Sequence, residues 1–151
     1  MWRKRLTVGC AMAVAVLVLG AAACGNSTAP SDELAAARSR WGRLGPPSYT
    51  MTIRVVCECT PEMAGPVVVE VTNGSVTSRT YVQAGTPVSA EYFASFPTVE
   101  GLFALVENAI RTDTKPLVAR YDSALGYPTR IELGDPAVDA PTYLVSDFQA
   151  R

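Results

Sequence analysis

The sequence predicts an α+β fold: a single small domain in which an antiparallel sheet of about five to six strands carries two helices on one face. Three observations support this prediction. The elements follow the order helix, three strands, helix, three strands, which is typical of an antiparallel sheet. The strand segments alternate apolar and polar residues, and an Asn-Gly pair at 73–74 joins two β-branched runs. Residues 32–151 are long enough for one core.

The first predicted helix is PSDELAAARSRWGRL, residues 30–44. Ser31 is a suitable N-cap, and the acidic residues that follow it lie in the first turn, where the helix dipole favours them. Gly-Pro-Pro at 45–47 ends the helix. Four apolar residues recur at helical spacing and are expected to face the core: Leu34, Ala37, Trp41 and Leu44.

The first three strands come next. SYTMTIRVVCEC, residues 48–59, reads as one strand, and TPEMAGP, residues 60–66, as a loop. The segment 67–82 reads as a hairpin with a two-residue type I′ turn, which places Val71 opposite Val76. The odd-numbered residues of the first strand are expected on its buried face: Tyr49, Met51, Ile53, Val55, Cys57 and Cys59.

The second half repeats this pattern after an irregular link. FPTVEGLFALVENAIR, residues 96–111, predicts a helix capped by Thr98. A second hairpin covers 115–134, and TYLVSDFQ, residues 142–149, is the last strand. The buried stripe of the helix is expected to contain Val99, Leu102, Phe103, Val106 and Ile110.

The N-terminal segment has the layout of an export signal. Three basic residues at 3–5 precede an apolar run at 8–19, which is shorter than the roughly 20 residues that span a bilayer. Small residues then lead to Cys24 in LGAAAC, which resembles the lipobox of bacterial lipoproteins, although Ala21 stands where leucine is usual. We therefore predict a signal peptide at 1–23 and a lipidated N-terminus with a flexible tether at 24–31.

Ordinary cleavage after Ala23, which would leave Cys24 as a free thiol, is the alternative. Cysteine arithmetic favours lipidation. Cys10 leaves with the signal, and a lipidated Cys24 would leave only Cys57 and Cys59 as an even pair.

Charge and composition exclude several functions. Removal of residues 1–23 takes away three of 13 basic residues and no acidic one, so the net charge becomes 10 − 14 = −4. This balance predicts no attraction for nucleic acid or anionic lipid, which leaves a lipid anchor as the only expected contact with a membrane. The chain contains no histidine, which excludes His-assisted hydrolases and His-ligated metals or haem. No phosphate-binding or dinucleotide motif is present.

Acidic pairs exist, but their spacing is ordinary. Asp135 and Asp139, and Glu100 and Glu107, are interpreted as solvated surface residues. We therefore expect no catalytic residue, no cofactor and no metal site, and the protein is predicted not to be an enzyme.

Three interpretations of Cys57 and Cys59 remain open. Residues i and i+2 of a strand lie about 6.6 Å apart, at the upper edge for a disulfide, so a kink near Glu58 would be needed to close one. The first, which we prefer, is a structural disulfide between Cys57 and Cys59, because export and the even cysteine count favour one. The second is a thiol-exchange pair, which Glu58 between the sulfurs opposes. The third is a Cu(I) site completed by Met51 or Met63.

The loop YDSALGYP, residues 121–128, also allows two interpretations. Tyr121 and Tyr127 could present a recognition surface. We prefer turn chemistry, in which Asp122 accepts turn hydrogen bonds, Gly126 takes a left-handed backbone angle, and the two rings cover the sheet.

Several separated motifs agree with one family. SYT after a Trp-bearing helix, CEC…PE…GPV, FPTVEGLF and YDSALGYPTRI together resemble the bacterial lipoprotein family known as domain of unknown function 6174. The resemblance covers residues 41–148. It implies a single-domain lipoprotein and carries no catalytic assignment, because the family is uncharacterised.

These observations predict a non-catalytic bacterial envelope lipoprotein, anchored by lipidated Cys24 to the extracytoplasmic face of a membrane. Its expected role is a binding or envelope-maintenance module. The alternative is a thiol-redox or Cu(I)-handling protein that uses Cys57 and Cys59.

Overall fold

The computed structural model describes residues 28–151. The predicted signal peptide and Cys24 lie outside the described residues. Among the described residues, no helix reaches the length and apolarity that crossing a membrane requires. The elements in chain order are α1 Pro30–Leu44, β1 Tyr49–Val56, α2 Pro61–Ala64, β2 Val67–Thr72, β3 Ser75–Tyr81, a 3-10 helix Ala90–Ser95, α3 Val99–Arg111, β4 Leu117–Tyr121, β5 Pro128–Leu133, a 3-10 helix Pro136–Val138, and β6 Thr142–Ala150.

The six strands form one antiparallel sheet in the order β3-β2-β1-β6-β5-β4. The first half of the sheet contains β1, β2 and β3, and the second half contains β4, β5 and β6. The halves meet where β6, which also pairs with β5, pairs with β1. This architecture confirms the predicted α+β class and the antiparallel sheet.

The helix count differs from the prediction of two. The expected loop at 60–66 contains the one-turn helix α2, and the expected irregular link contains a 3-10 helix. Pro61 occupies the first turn of α2, where its fixed φ favours a helical start and its missing N–H costs nothing. A single turn is too short to produce the apolar periodicity by which a helix is recognised.

The β2–β3 hairpin has the predicted turn. Asn73 and Gly74 have φ values of 49° and 77°, as a type I′ turn requires. Val71 lies opposite Val76, so the predicted register is confirmed.

The core lies between one face of the sheet and the helices α1 and α3. Alternate residues of β1 and β2 are buried on this face, as the period-two pattern predicts. The core residues of these two strands are Tyr49, Met51, Ile53, Val55, Val67, Val69 and Val71. The helices contribute Leu34, Ala37 and Trp41 from α1, and Val99, Leu102, Phe103 and Val106 from α3.

Helix α1 spans the predicted residues and ends before Gly45, but its predicted cap and one residue of its predicted stripe differ from the structure. It begins at Pro30, so Ser31 lies within the first turn, and the N-cap residue Ala29 makes no side-chain cap. Leu44, expected in the core, is 56% exposed, because the helix ends there and the chain turns away at Gly45. A Cβ atom on Gly45 would lie 2.6 Å from the Trp41 ring, which explains why glycine stands at this position.

Helix α3 begins as predicted. Thr98 Oγ1 accepts a hydrogen bond from the Gly101 backbone N–H at 3.2 Å, so the predicted cap is confirmed. The Tyr49 hydroxyl accepts a bond from the Val99 N–H at 3.1 Å and thereby ties the helix start to β1. Burial raises the pKa of Tyr49 to about 12. At the other end, Ile110 is only partly buried, and Ala109 fills the core position instead.

Candidate functional site

The two cysteines lie where strand β1 ends. The strand stops at Val56, and residues 57–59 form a bend. The prediction that both cysteines lie within the strand is therefore wrong. Cys57 and Cys59 are joined in a disulfide with a Cα–Cα distance of 5.2 Å, shorter than the extended spacing because the chain bends near Glu58. The Glu58 backbone N–H donates to the Asp139 carboxylate, which holds the bend against the β5–β6 connection.

The bend directs the chain into α2, and Gly65 then returns it to β2. Gly65 has a φ of 76°, a value that favours glycine. A Cβ atom here would lie 3.0 Å from both the Ile53 carbonyl oxygen and the Phe96 ring. The disulfide-closed bend and the glycine turn therefore fix both ends of α2.

A cleft of about 290 Å³ opens between α2 and the end of β3; we call it the α2–β3 cleft. Apolar ring and methylene surface lines its walls, with polar groups at intervals, as is typical of small-ligand sites. Its lining residues are Pro61, Glu62, Gly65, Pro66, Tyr81, Gln83, Ala84 and Thr86.

Carboxylates set the electrostatics beside the cleft. The Tyr81 hydroxyl donates to the Glu62 backbone carbonyl at 2.9 Å. Burial raises the pKa of Tyr81, and the negative charges of Glu62 and Glu91 add to this shift. The charge of Glu91 is the main cause that raises the pKa of Tyr92. Neutral phenol groups under a negative potential are suited to a cationic ligand group.

Sequence reasoning missed this cleft. Glu62 and Tyr81 line the cleft from two separate elements, and no motif links them along the chain. The only local signal is the pair of prolines at 61 and 66, which mark the ends of the segment that forms the cleft wall.

The predicted surface acids are exposed, but each has a defined partner. Glu100 accepts from Trp41 Nε1 at 3.0 Å, and Glu107 pairs with Arg38 at 2.9 Å, so both connect α3 to α1. Asp135 accepts a hydrogen bond from the Ala137 N–H, and Asp139 accepts the bond from the Glu58 N–H described above. Among residues 28–151, no group of three or more Cys, Asp or Glu side chains is arranged to hold a metal ion.

The 121–128 loop follows the turn interpretation. Asp122 Oδ1 accepts from the Ala124 and Leu125 N–H groups at 3.0 and 2.6 Å. Tyr121 stacks on Phe103, and Tyr127 stacks on Phe148 with ring centroids 4.3 Å apart. The rings therefore cover the core face of the sheet.

Replacement of both cysteines by serine is expected to lower the free energy of unfolding by at most about 2 kcal/mol, because the closed ring is very short and loop-closure entropy grows with ring size. Urea unfolding with and without reductant measures this. Reductant should shift the midpoint of the natural chain and leave that of Cys57→Ser/Cys59→Ser unchanged. A loss above about 4 kcal/mol, beyond the usual range for so short a ring, would contradict the entropic account.

These features define a small α+β domain with a ligand-sized cleft beside a disulfide-closed bend. The chain belongs to the family of unknown function DUF6174, whose model matches residues 33–150 and so confirms the family indicated by the motifs. No curated protein and no solved structure matches the chain.

Proposed function

We propose that the protein is a non-catalytic envelope lipoprotein, anchored through Cys24 to the extracytoplasmic face of a bacterial membrane, and that it acts as a binding module. The observation that carries this proposal is the sequence of residues 1–24, in which a basic head, a short apolar run and LGAAAC occur in that order. Acyl chains on Cys24 would give firm attachment without a transmembrane helix.

The α2–β3 cleft is the proposed binding site. Its volume suits a small ligand or a single side chain of a partner, and the neighbouring carboxylates of Glu62 and Glu91 favour a positively charged group. The disulfide and Gly65 support this assignment, because they fix the wall formed by α2 and so reduce the ordering cost of binding.

The alternative role, thiol redox or Cu(I) handling, has weaker support. Met51 is fully buried and lies six residues before Cys57, roughly 20 Å along an extended chain, which is too far to share a metal ion. Met63, four residues after Cys59, lies on α2 and is 39% exposed. Glu58 and Asp139 beside the pair would disfavour a thiolate.

The intact mass of the protein from the membrane fraction of a bacterium that expresses it tests the proposal. We expect the chain to begin at Cys24 and to carry acyl groups. Cys24→Ser should remain at the full precursor mass, whereas the matched control Cys10→Ser should be processed normally, since Cys10 lies within the signal. An unmodified chain starting at Cys24, or an uncleaved chain in the cytoplasm, would refute the anchor.

The same sample separates the two roles. A binding module should resist alkylation of Cys57 and Cys59 until strong reductant is added. Ready alkylation after mild reduction, or a copper ion that remains bound through purification, would favour the alternative.

A further inference from the structure

Three arginines lie in one row across four strands of the sheet. Arg120 of β4 is opposite Arg130 of β5. Arg130 is also opposite Leu144 of β6, and Leu144 is opposite Arg54 of β1. All three arginines are exposed and alternate along their strands with residues that face the core, so the row lies on the outer face of the sheet. We call Arg54, Arg120 and Arg130 the arginine row.

This arrangement does not stabilise the fold. Like charges directly opposite each other on neighbouring strands destabilise a sheet, and Arg120 and Arg130 form such a pair. Positions that conflict with stability are where function is expected.

The carboxylates of this face leave two of its positive charges unpaired. Arg130 Nε pairs with Glu132 Oε1 at 2.5 Å, and Glu70, farther along the same face, pairs with Arg151. Within residues 28–151, neither Arg54 nor Arg120 forms an ion pair. The net charge of the chain predicts no attraction for anions, but the sheet concentrates cations locally.

Aliphatic side chains accompany the arginines. Leu144 lies within the row. The adjacent row begins with Val118 of β4 and ends with Val56 of β1, which is 51% exposed, and Glu132 and Thr142 lie between them. A sheet face that combines exposed arginines with one exposed and two partly exposed aliphatic side chains fits the interface of a bilayer, where phosphates meet the ends of acyl chains. A soluble polyanion would match the charges but would leave the aliphatic groups in water.

We propose that the arginine row docks the outer face of the sheet onto the anionic phospholipid surface of the membrane that holds the protein. This inference rests on the proposed anchor at Cys24. Five residues lie between Cys24 and Pro30, so the extended chain spans about 20 Å from the anchored cysteine to the start of α1. The helical layer is about 10 Å thick, so the reach of the tether exceeds the thickness of the layer that separates α1 from the sheet.

The test uses the lipidated protein in vesicles, with a fluorophore on Ser146→Cys, an exposed position on the outer face, or on Ser39→Cys, an exposed position on α1. The vesicles contain phosphatidylcholine alone or equal parts of phosphatidylcholine and phosphatidylglycerol, each with a spin-labelled headgroup quencher. We expect quenching of the label at 146 to rise on anionic vesicles, and quenching at 39 to stay low on both.

The variant Arg54→Gln/Arg120→Gln should remove this rise. Each basic residue near an anionic surface contributes about five-fold, so the ratio of docked to undocked protein should fall about 25-fold. The matched control Arg43→Gln/Arg111→Gln removes two exposed arginines from the helical layer and should quench like the natural chain. The unfolding midpoint of each variant should stay unchanged or rise, which excludes misfolding as a cause.

Equal quenching of position 146 on both vesicles, or equal loss in the two double variants, would overturn docking. Binding of inorganic polyphosphate by the arginine row without contact with the bilayer would overturn it as well. If the intact mass shows no acyl groups, the anchor fails, and flotation of the chain with the same vesicles still decides the docking. If the chain floats only with anionic vesicles and only when Arg54 and Arg120 are present, the docking proposal stands. If the chain does not float, the docking proposal is refuted.

Discussion

Trp41→Ala is expected to lower the free energy of unfolding by about 3–5 kcal/mol, a loss typical of removing a buried aromatic residue. Trp41 is the largest of the three α1 residues that are buried in the core. Its ring makes edge contacts with Tyr49, Tyr127 and Phe148 at centroid distances of 5.5–6.3 Å. Its Nε1 also donates to Glu100 on α3. The substitution removes these contacts together and leaves a cavity between three elements.

The matched control is Leu44→Ala on the same helix. Leu44 is also an apolar residue of the predicted stripe but is 56% exposed, so its loss should change stability by no more than about 0.5 kcal/mol. Urea unfolding followed by circular dichroism measures both variants. Equal losses in the two variants would show that α1 is not packed through Trp41.

Glu100→Gln separates the packing of Trp41 from its hydrogen bond. Glutamine retains an acceptor for Trp41 Nε1, so this variant should keep most of the stability if aromatic packing dominates. A loss as large as that of Trp41→Ala would assign the effect to the carboxylate instead.

Much of the fold was predictable because it depends on local periodicity. The period-two burial of β1, the Asn73-Gly74 turn and the cap at Thr98 each depend on residues close in sequence. The predictions that were wrong concern short segments, in which only a few residues determine the local structure. The bend at 57–59 ends β1 early although apolar alternation continues, and α2 is a single turn.

The sites that we propose could not be predicted in the same way, because they are formed by distant residues. Arg54 lies 66 positions before Arg120, and only the placement of β6 between β1 and β5 brings the two into one row. The cleft likewise needs α2 to lie beside the end of β3. The net charge of the chain and its sequence motifs contain no information about either arrangement, because both depend on residues far apart in sequence.

Gly126, in the loop before β5, lies directly against the backbone of helix α1. Gly126 has a φ of 90°, which an L-residue with a side chain rarely adopts. A Cβ atom there would also lie 2.5 Å from the Ala37 carbonyl oxygen and 3.0 Å from Arg40 Cβ. The first contact is with helix backbone, so the loop or α1 must move to relieve it.

Gly126→Ala should therefore cost more than backbone strain alone. Gly74→Ala is the matched control, because Gly74 has a φ of 77° but a Cβ atom added to it would meet no neighbouring atom within 4 Å. We expect a loss of about 1–2 kcal/mol for Gly74→Ala from the left-handed conformation. Gly126→Ala should lose at least about 2 kcal/mol more, since overpacking adds to the strain.

Urea unfolding of both variants tests this difference, and near-ultraviolet circular dichroism of the folded proteins reports the rings around Trp41. We expect a changed aromatic spectrum only in Gly126→Ala, because the displaced helix carries Trp41 and the loop carries Tyr127. Equal stabilities with unchanged spectra would mean that the loop adapts without moving α1. The close approach of Gly126 to Ala37 would then not be what fixes the helix on the sheet.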